Sequence, residues 1–466
     1  MRNLKKDSLS LVETVALSAA VMAPSVSMAL NVSLITGLAG YSVTIIFLIS
    51  VVITFCVSAT IIKFNQMFST SGSLYKFTEY GLGKKAALVS GWALFLAYFT
   101  LVLGVSAALG SYLSSLLATL HIHVGWLPIS LFLSLVMWVL AYRDMNVSTR
   151  VMLALEGVSI SLILILAGVI FFKVGLHGMS WAPLSFGSNH FSAVAEGIVM
   201  GLLSFAGFEC ASALGEETRN PKKMIPLVIM GTIAGIAIFF LISSYAQVIG
   251  YGVTPTGIQE LSNSTMPLSD LADKFVSKQY AFLVVLAITM SLFSCVIGCV
   301  CTGARILLSM SRDGHLHKSL SGIHGKFKTP HVSVNTMMTA SLLLQILFYL
   351  VTRGDGKDLY DDSAYVTALS MLVAYMFVNA SGIAYFYRNK IWNIYQLIVP
   401  VAAIVAMLYT AYSNLYPIPP FPMNLAPYIT VGFIVVMLIV SRLTKHDTNL
   451  QNIDPVDQEV SYGPYD

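Results

Sequence analysis

Charged residues are scarce in this chain, at 10% of 466 residues against about 25% in ordinary soluble domains. Hydrophobic residues make up 56% of the sequence and the mean hydropathy is +0.78, which is more apolar than a soluble fold allows. The composition therefore predicts a polytopic membrane protein. The net charge of +4 does not indicate nucleic-acid binding, because basic residues of membrane proteins collect in cytoplasmic loops for topological reasons.

Cysteine is also rare, and every cysteine lies inside an apolar segment: Cys56, Cys210, Cys295, Cys299 and Cys301. This placement favours small buried side chains over disulfides or metal ligands. The nine histidines fall in predicted loops or at segment ends without regular ligand spacing, so we expect no metal site and no cofactor. A nucleotide-binding loop is missing as well, which argues against ATP-driven pumping.

Apolar segments of about 20 residues, the length that crosses a bilayer, occur twelve times. Their predicted limits are 11–37, 41–63, 86–119, 124–142, 147–173, 191–216, 224–250, 280–311, 332–351, 363–387, 393–413 and 425–443. The first segment starts like a signal peptide but has no convincing cleavage site, so we interpret it as a retained span. The segment at about 251–279 contains a short amphipathic stretch and is expected to fold over the outer surface. The sequence thus predicts an all-α protein with twelve transmembrane helices.

Basic residues divide unevenly between the two sides of this arrangement. With the N-terminus inside, 21 of the 26 lysines and arginines, Arg305 among them, belong to cytoplasmic loops and span ends. This asymmetry predicts that both termini are cytoplasmic, with residues 1–10 as the N-terminus and 444–466 as the tail. We expect the protein in the plasma membrane.

Two of the predicted spans are interrupted near mid-membrane, span one at Pro24 and span six at Gly207. Freed backbone groups are costly in lipid and persist only where protein or a water-filled cavity satisfies them. Because the breaks are five spans apart, their spans cross the membrane in opposite senses, as in inverted-repeat transporters that hold substrate between broken helices. We therefore expect a first repeat at 11–173, a second at 191–387 and two further helices at 393–443.

The two breaks offer complementary chemistry. A half-helix that begins near Ser25 directs free N–H groups at an anion such as a carboxylate, and Ser25 and Ser27 add hydroxyl donors. The unwound carbonyls of Phe205 and Ala206 accept hydrogen bonds from an ammonium group. A zwitterionic amino acid fits both ends. The alternative is that Pro24 only kinks a packed helix and Ser25 bonds back to its own turn.

Two motifs resemble signatures of the amino acid, polyamine and organocation (APC) family of permeases. The first is Gly207-Phe208-Glu209 followed by residues 215–222 and Ile225-Pro226, and the second is Ser311-Arg312-Asp313-Gly314. Many members carry a glycine-rich triplet at the first break, where this chain has Met22-Ala23-Pro24-Ser25.

The resemblance implies a LeuT-like fold of five plus five inverted spans with two added helices, working by alternating access. It also implies a substrate pocket lined by span one, span three and span six. The residues concerned are Ala23, Pro24, Ser25, Ser27, Tyr98, Phe205, Ala206, Gly207 and Phe208. For Tyr98 and Phe208 the alternative is a packing role, since aromatic residues are common in this chain.

Acidic residues inside predicted spans are costly and mark functional positions. Glu156 lies near the midplane of span five and Glu209 directly follows the break in span six, so either is a candidate to carry a coupling proton. The alternative for each is a hydrogen-bonded strut. Some proton-coupled relatives place a lysine in span five where this chain has Ser159, which is instead a candidate for a sodium site with Ser294.

A cluster of charged residues follows span six, in a stretch expected to be an aqueous loop: Glu216, Glu217, Arg219, Lys222 and Lys223. Opposite charges there predict a cytoplasmic gate. The alternative is a solvated loop, because exposed ion pairs are individually weak.

These features favour a secondary transporter of amino acids that works by proton symport or by exchange. A polyamine or other organic-amine permease is the main alternative, because the span-six carbonyls suit any ammonium group and Glu156 and Glu209 supply carboxylates. Sodium coupling is a further alternative, as is a nutrient sensor, which would be expected to carry a long signalling tail. A membrane enzyme would need inward-facing clusters of His, Cys, Asp or Glu, and the loop positions of the histidines argue against one.

Overall fold

A computed structural model of the chain describes residues 4, 8–143, 145–187, 191–391, 393–413, 415, 416, 418 and 421–444. These residues form α-helices joined by turns and short 3-10 helices. In chain order the α-helices are α1 (Leu11–Met22), α2 (Pro24–Ala39), α3 (Val43–Met67), α4 (Ser73–Leu82), α5 (Lys84–Thr119), α6 (Trp126–Tyr142), α7 (Met145–Gly178), α8 (Phe191–Phe205), α9 (Pro221–Tyr251), α10 (Pro255–Asn263), α11 (Pro267–Phe275), α12 (Lys278–Arg312), α13 (His331–Thr352), α14 (Gly356–Arg388), α15 (Ile394–Ser413) and α16 (Ala426–Leu443).

The helices confirm an all-α polytopic membrane protein. Within the described residues, eleven helical segments are long and apolar enough to cross a membrane, with α1 and α2 counted together, and α6 is a shorter apolar helix. The twelve predicted spans correspond in order to α1–α2, α3, α5, α6, α7, α8 with the 3-10 helix Phe208–Leu214, α9, α12, α13, α14, α15 and α16.

Three shorter helices lie between the spans. α10 and α11 occupy the segment that was expected to fold over the outer surface, and each begins with a proline, which costs a helix no hydrogen bond at its first position. α10 packs on α2, and α11 packs on α12. α4, between α3 and α5, was not predicted from the sequence.

Two sets of hydrogen bonds define the two ends of the helix bundle. At one end the backbone N–H groups of Ser8 and Leu9 donate to the Glu217 carbonyl at 2.9 and 3.0 Å, and we call this end the N side. At the opposite end, the far side, the Ser111 hydroxyl of α5 donates to Asp355 at 2.6 Å. Because successive spans alternate in direction, α4 and the C-terminal end of α12 lie at the N side, whereas the start of α14 lies at the far side.

The helices pack in two groups, which positions the site between them. In the α2–α8 group, α2 and α3 pack on each other and each packs on both α8 and α9. In the α5–α14 group, α5 packs on both α12 and α14. The α5 and α14 backbones approach closely at Gly104, where an added Cβ would lie 1.9 Å from the Ser363 hydroxyl oxygen. α1 lies between the groups, against α7, α9 and α12.

Candidate functional site

The break in span one is a single residue wide. Ala23 ends α1 and precedes α2 with a left-handed backbone, φ 42° and ψ 60°, a conformation that costs an L-residue roughly 1–2 kcal/mol. Pro24 follows as the first residue of α2 and has no N–H to satisfy. The Ser27 N–H bonds to the Ala23 carbonyl at 3.0 Å, so the N–H groups of Ser25 and Val26 are left without a partner inside the helix.

The break in span six lies directly against the first one. α8 ends at Phe205, Gly207 has φ 106°, and a 3-10 helix begins at Phe208. An added Cβ at Gly207 would lie 2.5 Å from Cγ1 of Val21 and 3.1 Å from the backbone nitrogen of Met22. The absence of a side chain at Gly207 therefore allows the two interrupted helices to touch.

The residues predicted to line a substrate pocket surround this contact and are all buried: Ala23, Pro24, Ser25, Ser27, Tyr98, Phe205, Ala206, Gly207 and Phe208. The Ser25 hydroxyl is fully buried and has no hydrogen-bond partner among the described residues, and the same holds for Ser294 of α12. Buried polar atoms without a partner are rare in proteins, so a small polar ligand beside Ser25 would satisfy its hydroxyl.

Glu156 of α7 lies at the N-terminal end of α2. Its carboxyl group is buried and accepts hydrogen bonds from the Ser291 hydroxyl of α12, with oxygen distances of 2.7 and 2.9 Å. The backbone N–H and the hydroxyl of Ser25 lie next to the same carboxyl group, although the hydroxyl does not reach hydrogen-bond geometry. The protein thus places one of its own carboxyl groups where the sequence indicated a substrate carboxylate, at the positive end of a helix dipole.

Ser159 has a different environment from the one expected of a sodium ligand. Its hydroxyl donates to the Leu155 carbonyl of its own helix at 2.9 Å and to the Ala287 carbonyl of α12 at 2.6 Å. Ser159 therefore joins α7 to α12 through a hydroxyl whose proton is already shared between two carbonyl groups.

Glu209 is held by two tyrosines from the α5–α14 group. Its carboxyl group accepts a hydrogen bond from the Tyr98 hydroxyl, one of 2.9 Å from the Tyr375 hydroxyl and one of 3.2 Å from the Gly207 N–H. The Tyr98 hydroxyl is also 3.1 Å from the Cys210 sulfur. Tyr375 was not predicted from the sequence, because nothing in its local sequence distinguishes it from the rest of the 22 tyrosines.

A buried ion pair joins the end of span six to α12. The Arg305 guanidinium donates to the two Glu217 carboxylate oxygens at 2.8 and 3.1 Å, and to the Cys301 carbonyl at 2.7 Å. Only 2% of the Arg305 side chain and 4% of the Glu217 side chain are exposed. Arg305 is buried within α12, near its N-side end, and the expectation that Glu217 lies in an aqueous loop is wrong.

The other predicted gate residues are more exposed. Glu216 pairs with Arg312 of α12 at 3.2 Å and accepts a hydrogen bond of 2.7 Å from Ser71. Arg219, Lys222 and Lys223 are exposed at the N side. Glu216 and Glu217 therefore both pair with arginines of α12.

The second sequence motif is part of the same cluster. Asp313 follows α12 and contacts α4, with Lys76 at 2.7 Å and the Tyr75 hydroxyl at 2.6 Å. Burial alone would lower the pKa of Lys76, but Asp313 and Glu79 outweigh it and raise the pKa above its usual value. Lys76 is consequently charged at neutral pH, and α4 is fixed to the end of α12.

In an all-α membrane protein, two broken spans that pack against each other are typical of polytopic carriers, which hold a small molecule at mid-membrane. A family model described as amino acid permease matches residues 9–441, and the chain belongs to this family.

Three relatives illustrate its range. The branched-chain amino acid permease BcaP of Bacillus subtilis is 26% identical over 325 residues, which cover 66% of this chain and 67% of the relative. The methylthioribose transporter of the same organism is 25% identical over 58% of this chain and 59% of its own length. The putrescine transporter PotE of Haemophilus influenzae is 25% identical over 68% of this chain and 73% of its own length. The chain thus spans between about three fifths and three quarters of these relatives.

Proposed function

We propose that the chain is a secondary transporter that carries amino acids across the plasma membrane by alternating access. The observation that carries the proposal is the contact between the two breaks, where the unpartnered Ser25 hydroxyl and the N–H groups that begin α2 are enclosed. Helix N-termini and hydroxyl donors bind carboxylates, and the unwound segment at Phe205 and Ala206 offers carbonyl acceptors for an ammonium group. The two five-span repeats would rearrange around this site.

The N side is the cytoplasmic side in this proposal, because the predicted order of spans assigns 21 of the 26 lysines and arginines to that side. Glu216 and Glu217, paired with Arg312 and Arg305, form the inner gate that must separate before substrate is released to the cytoplasm. Arg219, Lys222 and Lys223 are then exposed basic residues of the cytoplasmic face.

The position of Glu156 supports proton coupling. A substrate carboxylate at the start of α2 would meet the same Ser25 donors that already face Glu156. Two carboxylates that share one set of donors cannot both remain ionised without a large cost, so substrate binding would bring a proton to Glu156. Glu209 is instead a support, because its carboxyl group is already engaged by Tyr98, Tyr375 and the Gly207 N–H.

Glu156→Gln should uncouple transport from the proton gradient. Glutamine keeps the size and the hydrogen bond to Ser291 but cannot bind and release a proton. In proteoliposomes, uptake by the variant should be equal with and without an inward proton gradient, while exchange of internal for external substrate persists. A variant that still responds fully to the gradient would exclude Glu156 as the coupling group.

Ser25→Ala should weaken substrate binding without destabilising the protein. The hydroxyl has no internal partner to lose, so we expect the unfolding temperature to stay unchanged. The lost contact to substrate should raise KM by at least about tenfold, because one hydrogen bond to a charged group contributes about 1.5–3 kcal/mol. Ser18→Ala serves as the control, because its hydroxyl is also buried near the break but makes a weak 3.5 Å contact to the Phe208 carbonyl. Equal KM values for the Ser25→Ala variant and the unaltered protein would remove Ser25 from the pocket.

The proposal as a whole is tested by uptake of labelled amino acids, putrescine and other amines into proteoliposomes, with and without an inward proton gradient. Saturable uptake of at least one amino acid is expected, accelerated by the gradient for symport. Equal uptake in both conditions with acceleration by internal substrate would favour exchange. Uptake of amines alone would replace the proposal by its alternative.

A polyamine or organic-amine permease remains the second candidate, since a relative carries putrescine and buried carboxyl groups lie near both breaks. A dication would have to compete with Tyr98 and Tyr375 for Glu209, which favours the amino acid proposal.

Sodium coupling is less well supported, because the Ser159 hydroxyl is already bonded to two carbonyl groups. The relatives are permeases and transporters, and we propose no enzymatic activity for this chain.

A further inference from the structure

Asn31 of α2 joins three helices on the far side of the substrate site. Its side-chain N–H donates to the Ser204 hydroxyl of α8 at 2.8 Å, and its side-chain carbonyl accepts from the Tyr360 hydroxyl of α14 at 3.2 Å. All three side chains are buried, Asn31 at 1%, Ser204 at 0% and Tyr360 at 4% exposure. The two bonds of one amide thus connect both broken spans with a helix that is not broken.

The two hydrogen bonds differ in what they connect. Asn31 and Ser204 both belong to the α2–α8 group, so their bond links helices that pack on each other. Tyr360 belongs to the α5–α14 group, so its bond to Asn31 crosses from one group to the other. Rigid-body rearrangement of the two groups can leave the first bond intact, but it must break the second.

The position of Tyr360 places this crossing between the substrate site and the far side. Tyr360 is the fifth residue of α14, which begins at Gly356 at the far side, so it lies about 6 Å along the helix from that end. Ser204 lies three residues before Gly207 and one residue before the end of α8. Further out, the Tyr112 hydroxyl of α5 donates to the Thr265 carbonyl at 3.2 Å.

We infer that Asn31 is a positioning residue of the transport cycle, which holds the far side of the substrate site closed through its bond to Tyr360. This inference rests on the proposed alternating access but not on the identity of the substrate. The Asn31–Tyr360 bond joins two uncharged side chains, whereas the N-side closure contains the ion pairs of Glu217 and Glu216. Loss of the Asn31–Tyr360 bond should therefore favour opening to the far side.

Cys295 provides a reporter for this opening. It is 2% exposed and its sulfur lies 3.5 Å from the Val21 carbonyl, at the level of the two breaks. In a Cys56→Ser background, a membrane-impermeant maleimide is applied from the far side and modification of Cys295 is followed by peptide mass spectrometry. Tyr360→Phe, which removes one hydroxyl, and Asn31→Ala should each increase the labelling rate about two- to tenfold, the range expected for one lost hydrogen bond.

Ser204→Ala is the matched control, because it also removes one hydrogen bond from Asn31 but within one helix group. It should change the rate by less than about twofold, and the double variant Asn31→Ala/Tyr360→Phe should not exceed the larger single effect. An unchanged rate in both Tyr360→Phe and Asn31→Ala, an equal increase in Ser204→Ala, or an equal increase from the N side would overturn the inference. Since labelling requires no substrate, failure of the amino acid assignment would not alter these results.

Discussion

Replacing Arg305 by methionine is expected to lower the free energy of unfolding by about 3–5 kcal/mol, the cost of leaving one member of a buried ion pair uncompensated. The Glu217 carboxylate would lose two hydrogen bonds of 2.8 and 3.1 Å while remaining inside the protein. The side chain of methionine fills most of the space, so the effect reports the lost charge and not a cavity. Thermal and denaturant unfolding of the protein in detergent would measure the change.

Two controls separate the buried charge from other causes. The double variant Arg305→Met/Glu217→Leu removes both charges and should recover most of the lost stability, because apolar replacement of a whole buried pair is often neutral. Arg150→Met breaks the pair with Glu13, in which the Arg150 side chain is 76% exposed and 3.6 Å away, and should cost under about 1 kcal/mol. Equal losses of unfolding free energy in Arg305→Met and Arg150→Met would show that the buried pair stabilises the protein no more than the exposed one.

The double variant also tests the inner gate. If the Glu217–Arg305 pair closes the N side, a stable protein without it should open to the N side more often, which would appear as faster labelling of Cys295 from that side. Stability and gating are therefore measured separately in one variant. A stable double variant with unchanged N-side labelling would leave the pair a purely structural role.

The helices could be predicted from the sequence because the determinants are local. Apolar runs long enough to cross a membrane identify the spans, and Pro24 and Gly207 identify the breaks through their own backbone chemistry. Even the pairing of the breaks follows from counting spans. α4 was missed because its ten residues are too short and too polar for a span, and its position is fixed by contacts of Tyr75 and Lys76 with Asp313.

The partners of the charged residues could not be predicted in the same way. Glu217 lies in a run of charged residues that reads as a solvated loop, yet its partner Arg305 comes from a helix 88 positions further along the chain. Glu156 meets Ser291, 135 positions away, and Glu209 meets Tyr375, 166 positions away. Hydrophobic periodicity does not identify partners so far apart in the chain. The sequence therefore marks a buried acidic residue as a functional candidate without indicating its role.

The remaining large effect is expected at the contact between the breaks. Gly207→Leu should reduce transport by at least about 30-fold, because two unfavourable free-energy terms add at one residue. A left-handed backbone is unfavourable for any residue with a Cβ by roughly 1–2 kcal/mol, and forcing side-chain atoms into a packed interior costs typically 1–3 kcal/mol more. The added Cβ would lie 2.5 Å from Val21 Cγ1 and 3.1 Å from the backbone nitrogen of Met22, at the end of α1.

The two costs can be separated by smaller substitutions. Gly207→Ala introduces the Cβ alone, and Gly207→Ala/Val21→Ala then removes the overlapping methyl groups while keeping the left-handed backbone at φ 106°. Partial recovery of transport in the double variant is therefore expected. Gly235→Leu is the control for a leucine in a span, because its added Cβ meets no atom within 4 Å and faces away from the packed helices. Full activity of Gly207→Leu would mean that the two breaks need not touch during transport, and the site would then have to be sought at Glu156 and α12 instead.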